Sequence, residues 1–360
     1  MDGCRKKREK ANLAGFRIAI VHPFRYTDII TVYPDHTIQE REYEAQMEHD
    51  RSQSCLLLAM LCCFLWGSAT PAIKIGYQMF HIENSDTTSI ILFAGIRFFL
   101  AGMLVILFQS LMQKRFLKPQ IKAIPAIFSL SLAQTAVQYL FFYIGLAHTS
   151  GVHGTIISGT GGFFSILMAS LLFRYEKLTG AKIFGCVIGF AGIVVMNLSG
   201  SSSEGFFQVS LLGEGFVLFS QLSYALSGIL VKRFSSRFDV VMLSGWQFVL
   251  GGIIMMVVGF ACGGRVDLVS DPSAYLLLLY MALISAVAYS VWGILLKYNP
   301  VSRVTIFTFL TPLFGVLLSA IFLGEAQQAL SFKTLIALVF VCIGIYAVNR
   351  NAGKKESALK

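Results

Sequence analysis

The sequence predicts an all-α integral membrane protein: ten transmembrane helices built as two inverted five-helix repeats. Three observations carry that prediction. Hydrophobic residues make up 56% of the chain and charged residues 13%, with a mean hydropathy of +0.70, a composition far outside that of soluble domains. Ten apolar runs follow Ser54, and a hydrocarbon core about 30 Å thick needs roughly 20 apolar residues at about 1.5 Å per residue. The last five runs then repeat the first five at a nearly constant offset.

Residues 1–54 stand outside this pattern. MDGCRKKREK is basic and polar, Gly15 to Tyr33 suits a short strand or two, and Gln39 to Gln53 is charged with helical composition. The first long apolar run starts only at Cys55, so no secretion signal is expected. The stretch reads either as a cytosolic extension or as an over-long translation start, with Met47 opening the chain.

The runs lie near 55–79, 89–112, 124–147, 153–173, 183–199, 211–231, 240–262, 274–296, 304–323 and 334–349. They divide into a first unit over 55–200, a second over 211–350 and a cytosolic tail over 351–360. In the first run Trp66, Thr70 and Lys74 fall on one stripe at four-residue spacing. Pro71 cannot donate the bond that Gly67 would accept, so a weakened turn lies beside that stripe, either a hinge or a kink repaired by neighbours. The sixth run matches it, with Tyr224 opposite Trp66 and Lys232 opposite Lys74.

Ala94–Gly102 of the second run lies over Ser244–Gly252 of the seventh, which sets Arg97 opposite Gln247. The third presents Gln134, Thr135, Gln138 and Tyr139 and the eighth Ser285, Tyr289 and Trp292, with Tyr139 over Tyr289. One face of each is therefore polar, and in hydrocarbon such a face needs a partner or a wet cavity; interhelical hydrogen bonding and substrate contact are both open.

The stretch from Thr149 to Gly180 is studded with Gly, Ser and Thr. It is echoed from Asn299 to Glu325: Thr155, Ile156, Phe164 and Leu167 fall on Thr305, Ile306, Phe314 and Leu317, and Glu176 on Glu325 after a slip of one residue. Gly185, Gly189 and Gly192 give the fifth run a small-residue stripe. With almost nothing polar inside the fifth and tenth runs, these read as scaffold or as a homodimer face.

Five spans per unit is an odd number, so the second unit must cross the membrane in the opposite sense to the first. Inverted repeats are the usual construction of secondary transporters, whose two halves exchange conformations around a midplane site. Lys and Arg set the orientation. Lys114, Arg115, Lys118, Lys122, Arg174, Lys177, Lys182, Lys232, Arg233, Arg237, Lys297, Arg303, Arg350, Lys354, Lys355 and Lys360 all follow even-numbered runs, against Arg265 and Lys333 on the other side. Both termini are expected in the cytoplasm. The formal charge of +10 is mostly this asymmetry plus the basic amino terminus, so no nucleic-acid partner is expected.

Lys74 and Arg97 are the cations inside spans, roughly 8 and 12 Å from the outer ends at 1.5 Å per residue. A cation near mid-bilayer costs about 2.5–3.5 kcal/mol on insertion scales and normally faces water, a partner or a ligand. No carboxylate lies inside a span, since Glu176, Glu214 and Glu325 are near helix ends. A substrate anion fits that gap, an amino acid being the simplest; the competing readings are a snorkelling Lys74 and a structural clamp at Arg97. Trp66, Tyr139, Tyr224, Trp246, Tyr289 and Trp292 would supply an aromatic lining that also suits amphipathic drugs or organic cations. His148 and His153 are the groups that could titrate near neutrality, and both read as loop residues, which favours facilitated diffusion or export down a gradient.

WGSATPAIKIG, GIRFFLAG, LAHTSGVHGTIISGTGGFF followed by FRYEKLTG, WQFVLGG and LTPLFGVLLSAIFLGE resemble the EamA-like branch of the drug/metabolite transporter superfamily, over about 55–350. The resemblance implies a ten-helix permease of the plasma membrane, the inner membrane in a bacterium. It implies a central cavity from helices 1–4 and 6–9, with helices 5 and 10 outside. The family's proline stands at Pro312 but is replaced by Gly162 in the first half, which sets the bend of helix 4 apart from that of helix 9. No GxxxxGK[ST], GxSxG or HExxH is present, and the seven cysteines form no paired CxxC. The expected partners are a small-molecule substrate and the lipid bilayer, with no cofactor or metal. A lipid-acting enzyme or a non-transporting scaffold is the reading of a different class.

Overall fold

The structure, a computed structural model, describes residues 39–174, 177–196, 210–267, 271–299 and 301–350. Gly15 to Tyr33, Glu176 and the tail fall outside the described residues. Everything described is helix, turn or loop. Helix α1 (Gln39–Met79) carries the apolar span Cys55–Met79, followed by α2 (Thr87–Gln113), α3 (Ile121–Ala147) and α4 (Gly151–Leu172). Helix α5 (Gly180–Met196) precedes α6 (Leu211–Phe234), α7 (Val240–Ala261) and α8 (Pro272–Tyr298). Helix α9 comes in three pieces, Val301–Thr305, a tight turn Ile306–Phe309 and Leu310–Phe322, and α10 is Phe332–Arg350.

Seven of these helices are long and apolar enough to cross a membrane, and Gly180–Gly192, Leu310–Phe322 and Phe332–Gly344 are shorter apolar helices. Together they occupy the places of the apolar runs. Their ends are capped by short polar residues that take up the first orphaned N–H groups. Asp86 accepts from Ser89 N at 3.0 Å, Asp239 from Met242 N at 2.8 Å and Asp271 from Ser273 N at 2.9 Å. Hydrogen bonds from Ser89 and then Thr88 hold the Asp86 carboxyl below its ordinary pKa. A long-range cap is added at α4, where the Glu325 carboxylate accepts from Gly151 N at 3.0 Å and Val152 N at 2.8 Å.

Helix packing follows the repeat found in the sequence. Helix α2 lies along α7, and a Cβ placed on Gly102 would stand 2.6 Å from Val249 N and 2.7 Å from Gly245 O, while one on Gly252 would meet Phe99 N and Gly95 O. Every residue of the second contact is 150 positions from one in the first. Helix α5 lies along α10 in the same way, Gly192 against Ala337 O and Gly344 against Gly185 O, all at an offset of 152. The glycine stripe of α5 is thus filled within the same chain, by α10 at Gly185 and Gly192 and by the Phe163 ring of α4 at Gly189. In lipid no hydrophobic force drives helices together, so close contacts of this kind have to supply the association.

Two apolar clusters hold the bundle. One joins Ile73, Phe93, Phe98, Tyr143, Phe248 and Met281 across α1, α2, α3, α7 and α8; the other joins Val152, Ile156, Phe163, Val316 and Val341 across α4, α9 and α10. The outward faces are equally apolar. Phe108, Leu171, Val187, Phe260 and Ile321 are each more than half exposed, an arrangement that water penalises and a bilayer accepts.

Helix α1 continues through Pro71. It meets α9 at Gly67, whose hypothetical Cβ would stand 2.8 Å from Phe314 Cβ and 2.9 Å from Gly315 N. Helix α4 is interrupted at Gly159, between Gly151–Ser158 and Thr160–Leu167, and Gly159 aligns with Phe309, the end of the tight turn in α9. Both helices break at the matching place although only one has the proline. The breaks nest together: Gly159 sits against the Pro312 ring and Gly162 against Thr308 Oγ1.

Candidate functional site

A cavity of about 70 Å³ lies where the broken helices meet α1, α2, α3, α6 and α8. Helix α1 supplies Trp66, Thr70 and Ile73, and α2 supplies Arg97. Helix α3 gives Gln138, Tyr139 and Phe142, α4 gives Thr155, Ser158 and Gly162, and α6 gives Gln221 and Tyr224. Tyr289 of α8 and Thr308 and Thr311 of α9 complete the wall.

Arg97 is the charge in this wall, 1% exposed. Its Nε donates to Met281 O at 3.0 Å, one terminal nitrogen to the Tyr143 hydroxyl at 2.5 Å and the other to Ser285 Oγ at 3.1 Å. The guanidinium also lies 5.2 Å from the Phe98 ring centre and 5.9 Å from that of Tyr143. All of these partners are neutral. Among the described residues the one contact within ion-pair distance is His153 with Glu214, 3.5 Å apart at the N-terminal ends of α4 and α6. Arg97 is therefore a buried cation oriented by neutral groups, with a cavity in front of it.

The repeat also organises this site. Arg97 meets Ser285, and its counterpart Gln247 meets Thr135, whose hydroxyl donates to Gln247 Oε1 at 2.6 Å; both pairs are related by the same 150 positions. Tyr139 and Tyr289, counterparts as well, are hydrogen-bonded to each other. Gln138 Nε2 donates to the Tyr289 hydroxyl at 3.2 Å. Four polar atoms of wall residues have no hydrogen-bond partner among the described residues: Trp66 Nε1, Gln138 Oε1, Tyr224 OH and Thr311 Oγ1.

Of the residues singled out in the sequence, Trp66, Thr70, Arg97, Gln138, Tyr139, Tyr224, Tyr289 and Gly162 line the cavity. Trp292 backs it, with ring centres 4.8 Å from Trp66. Gln134 is buried on α3 outside the wall, and Gln247 is fully buried beside Thr135. Trp246 lies away from it, its indole N–H donating to Leu117 O at 2.9 Å. Lys74 lines a second cavity with Tyr77, Gln78, Glu83 and Glu325. The two cavities share no lining residue, and the Tyr77 hydroxyl, bonded to Tyr143 O at 3.1 Å, marks the layer between them. Thr155, Ser158, Gln221, Thr308 and Thr311 were not singled out, although Ser158 and Thr308 stand 150 positions apart and the repeat alone could have paired them.

The EamA-like transporter family model matches residues 53–198 and 211–350, both halves of the bundle. The chain belongs to the EamA-like transporter family. An uncharacterized transporter of Bacillus subtilis, YvbV, is 27% identical over 86% of this chain and 95% of its own length. A probable amino-acid metabolite efflux pump of Escherichia coli is 24% identical over 81% of this chain and 93% of its own. A solved crystal structure with 16% identity superposes with a TM-score of 0.60, covering 84% of this chain and 99% of that one, which shows the shared fold. The EamA-like chain is thus a multi-pass membrane protein of transporter type.

Proposed function

We propose that this EamA-like chain is a small-molecule permease that moves a carboxylate-bearing metabolite, an amino acid being the favoured case, through the Arg97 cavity by alternating access. One observation carries the substrate class: Arg97 is buried at a cavity wall and all three of its hydrogen bonds go to neutral atoms. A charge so placed gains most from an anion that enters the cavity. Trp66, whose indole N–H can only donate, adds a neutral donor for the same oxygens. The name of the Escherichia coli relative supports the amino-acid case. The aromatic part of the wall would hold the rest of the molecule. A lipophilic cation is the second reading, and it leaves Arg97 facing its own sign of charge.

In this reading the seven long and three short apolar helices all span, as two inverted repeats of five. The exchanged contacts of α2 with α7 and of α5 with α10 support that arrangement, because each maps onto itself when the halves are swapped. Both termini face the cytoplasm, by the distribution of Lys and Arg, in a bacterial inner membrane. Helices α5 and α10 form a scaffold; a homodimer through them would use faces other than the glycine stripe. Gly67, Pro71, Gly162 and Pro312 mark where the helices flex.

Replacing Arg97 with Gln, the residue in the other half, tests the substrate class. Saturable transport of a carboxylate in liposomes is expected to fall by about 100-fold in apparent affinity, the scale of a lost charge-assisted pair. Unchanged affinity and anion selectivity would remove Arg97 from the binding site.

A further inference from the structure

Lys74 and Lys232 are counterparts near the ends of α1 and α6, and the structure treats them differently. Lys232 reaches across to the C-terminal end of α8, where its ammonium donates to Leu296 O at 2.7 Å, Asn299 O at 2.8 Å and Lys297 O at 3.4 Å. These carbonyls need such a donor. The last turn of a helix leaves its C=O groups without intrahelical partners, and residue 300, four beyond Leu296, is a proline with no N–H to give. A cation there also meets the negative end of the helix dipole.

Moved back by 150 positions, the three carbonyls are those of Leu146, Ala147 and Thr149, at the C-terminal end of α3. No lysine reaches them among the described residues. Lys74 makes no hydrogen bond among the described residues and shares the wall of the second cavity with Glu325. The same lysine and helix end are joined in one half and apart in the other. The two sites are at opposite ends of the bundle, since α6 runs from Glu214, which accepts from Thr149 Oγ1, to Lys232.

We propose that Lys232 and Lys74 are alternating latches. In the conformation seen, Lys232 ties α6 to α8 and closes its end of the molecule. When the halves exchange conformations, Lys232 lets go and Lys74 moves from beside Glu325 onto the carbonyls of Leu146, Ala147 and Thr149. Each conformation then keeps one lysine on one helix end, so the exchange costs little, as two interconverting states require. Lys74 thereby gains a reason to stand at its end of the bundle that has nothing to do with holding the substrate. The inference rests on the two-half reading of the fold and is independent of what is carried.

The test needs no substrate. In the full chain in lipid nanodiscs, with Cys4, Cys55, Cys262 and Cys342 replaced by alanine so that the native cysteines left are the buried Cys62, Cys63 and Cys186, a reporter cysteine is placed at Gln78, exposed in the Lys74 cavity, or at Ser236, its exposed counterpart at the Lys232 end. Labelling by a membrane-impermeant maleimide is then timed. Lys232→Met is expected to speed labelling at 236 by up to about tenfold, the shift in equilibrium that loss of hydrogen bonds to a charge can produce, and to slow labelling at 78 by a smaller factor, because the dominant conformation gives up only part of its population. Lys74→Met alone should change little, the double variant should return both rates to the parent values, and Lys232→Arg should keep them. If the Met variant does not fold, Lys232→Gln should give a smaller shift of the same signs. Unchanged rates, both rates moving in one direction, or a double variant that behaves as Lys232→Met would overturn the latch.

Discussion

Arg97 donates three of the guanidinium's five N–H groups to neutral protein atoms, and the rest have no acceptor among the described residues. That arrangement fixes the direction of the charge without cancelling it. Trp66 can be separated from it by a conservative change. Trp66→Phe keeps a ring against Tyr224, Tyr289 and Trp292 and removes the orphaned N–H, so the apparent affinity for a carboxylate should weaken by up to about tenfold, the worth of one hydrogen bond, with no loss of folded protein. Measured uptake with unchanged half-saturation would mean that the indole N–H does not touch the substrate. Both residues were legible in the sequence because charge and indole are costly inside a span and therefore conspicuous. Thr155, Ser158 and Thr308 were not, because a hydroxyl can satisfy itself on its own helix; Thr155 Oγ1 bonds Gly151 O at 2.7 Å and Thr308 Oγ1 bonds Thr305 O at 2.5 Å. Lys74 was misleading for a different reason: it shares the stripe of Trp66 and Thr70 but lies about one turn further along the helix, where that stripe has left the main cavity and opens onto the second.

Among elements, α1 and α9 are joined where neither has room for a side chain. Gly67→Ala should destabilise the protein by about 1–3 kcal/mol, the usual cost of overpacking, because the new methyl would meet backbone at Gly315 as well as Phe314; thermal unfolding in detergent reads it. Asp86 makes a smaller contribution as the cap of α2. Asp86→Ala should cost about 1 kcal/mol at neutral pH. Its hydrogen bonds lower the folded carboxyl's pKa, so this stabilisation is present above the ordinary aspartate pKa of about 3.9 and is lost as pH falls through the depressed folded value. The difference between parent and variant should therefore shrink in acid; a constant difference would assign Asp86 no charge-dependent role. Ends of helices were legible to within a few residues from the apolar runs, whereas the caps Asp86, Asp239 and Asp271 were read only from the structure. The tight turn Ile306–Phe309 was not, since nothing local in that apolar stretch marks it except Pro312 after it, and Gly159 breaks α4 without any proline at all.

At the scale of the whole molecule, the offset of 150 read from matched residues reappears as matched contacts: Arg97 with Ser285 and Thr135 with Gln247, Gly102 with Gly245 and Gly252 with Gly95. Pattern and packing agree here because a close helix crossing demands small residues at both sites, and duplicated helices keep that demand. The partner of each helix was less legible, because similarity between halves says which elements correspond and not which ones touch. As proposed above, the Arg97 cavity at the meeting of the halves carries an anion. Purified protein in liposomes, offered a mixed set of amino acids, organic anions and organic cations with and without a pH gradient, tests it most directly. Saturable uptake of a carboxylate-bearing compound is expected, without need of an imposed proton gradient. Uptake confined to lipophilic cations would contradict it and leave Arg97 a structural clamp.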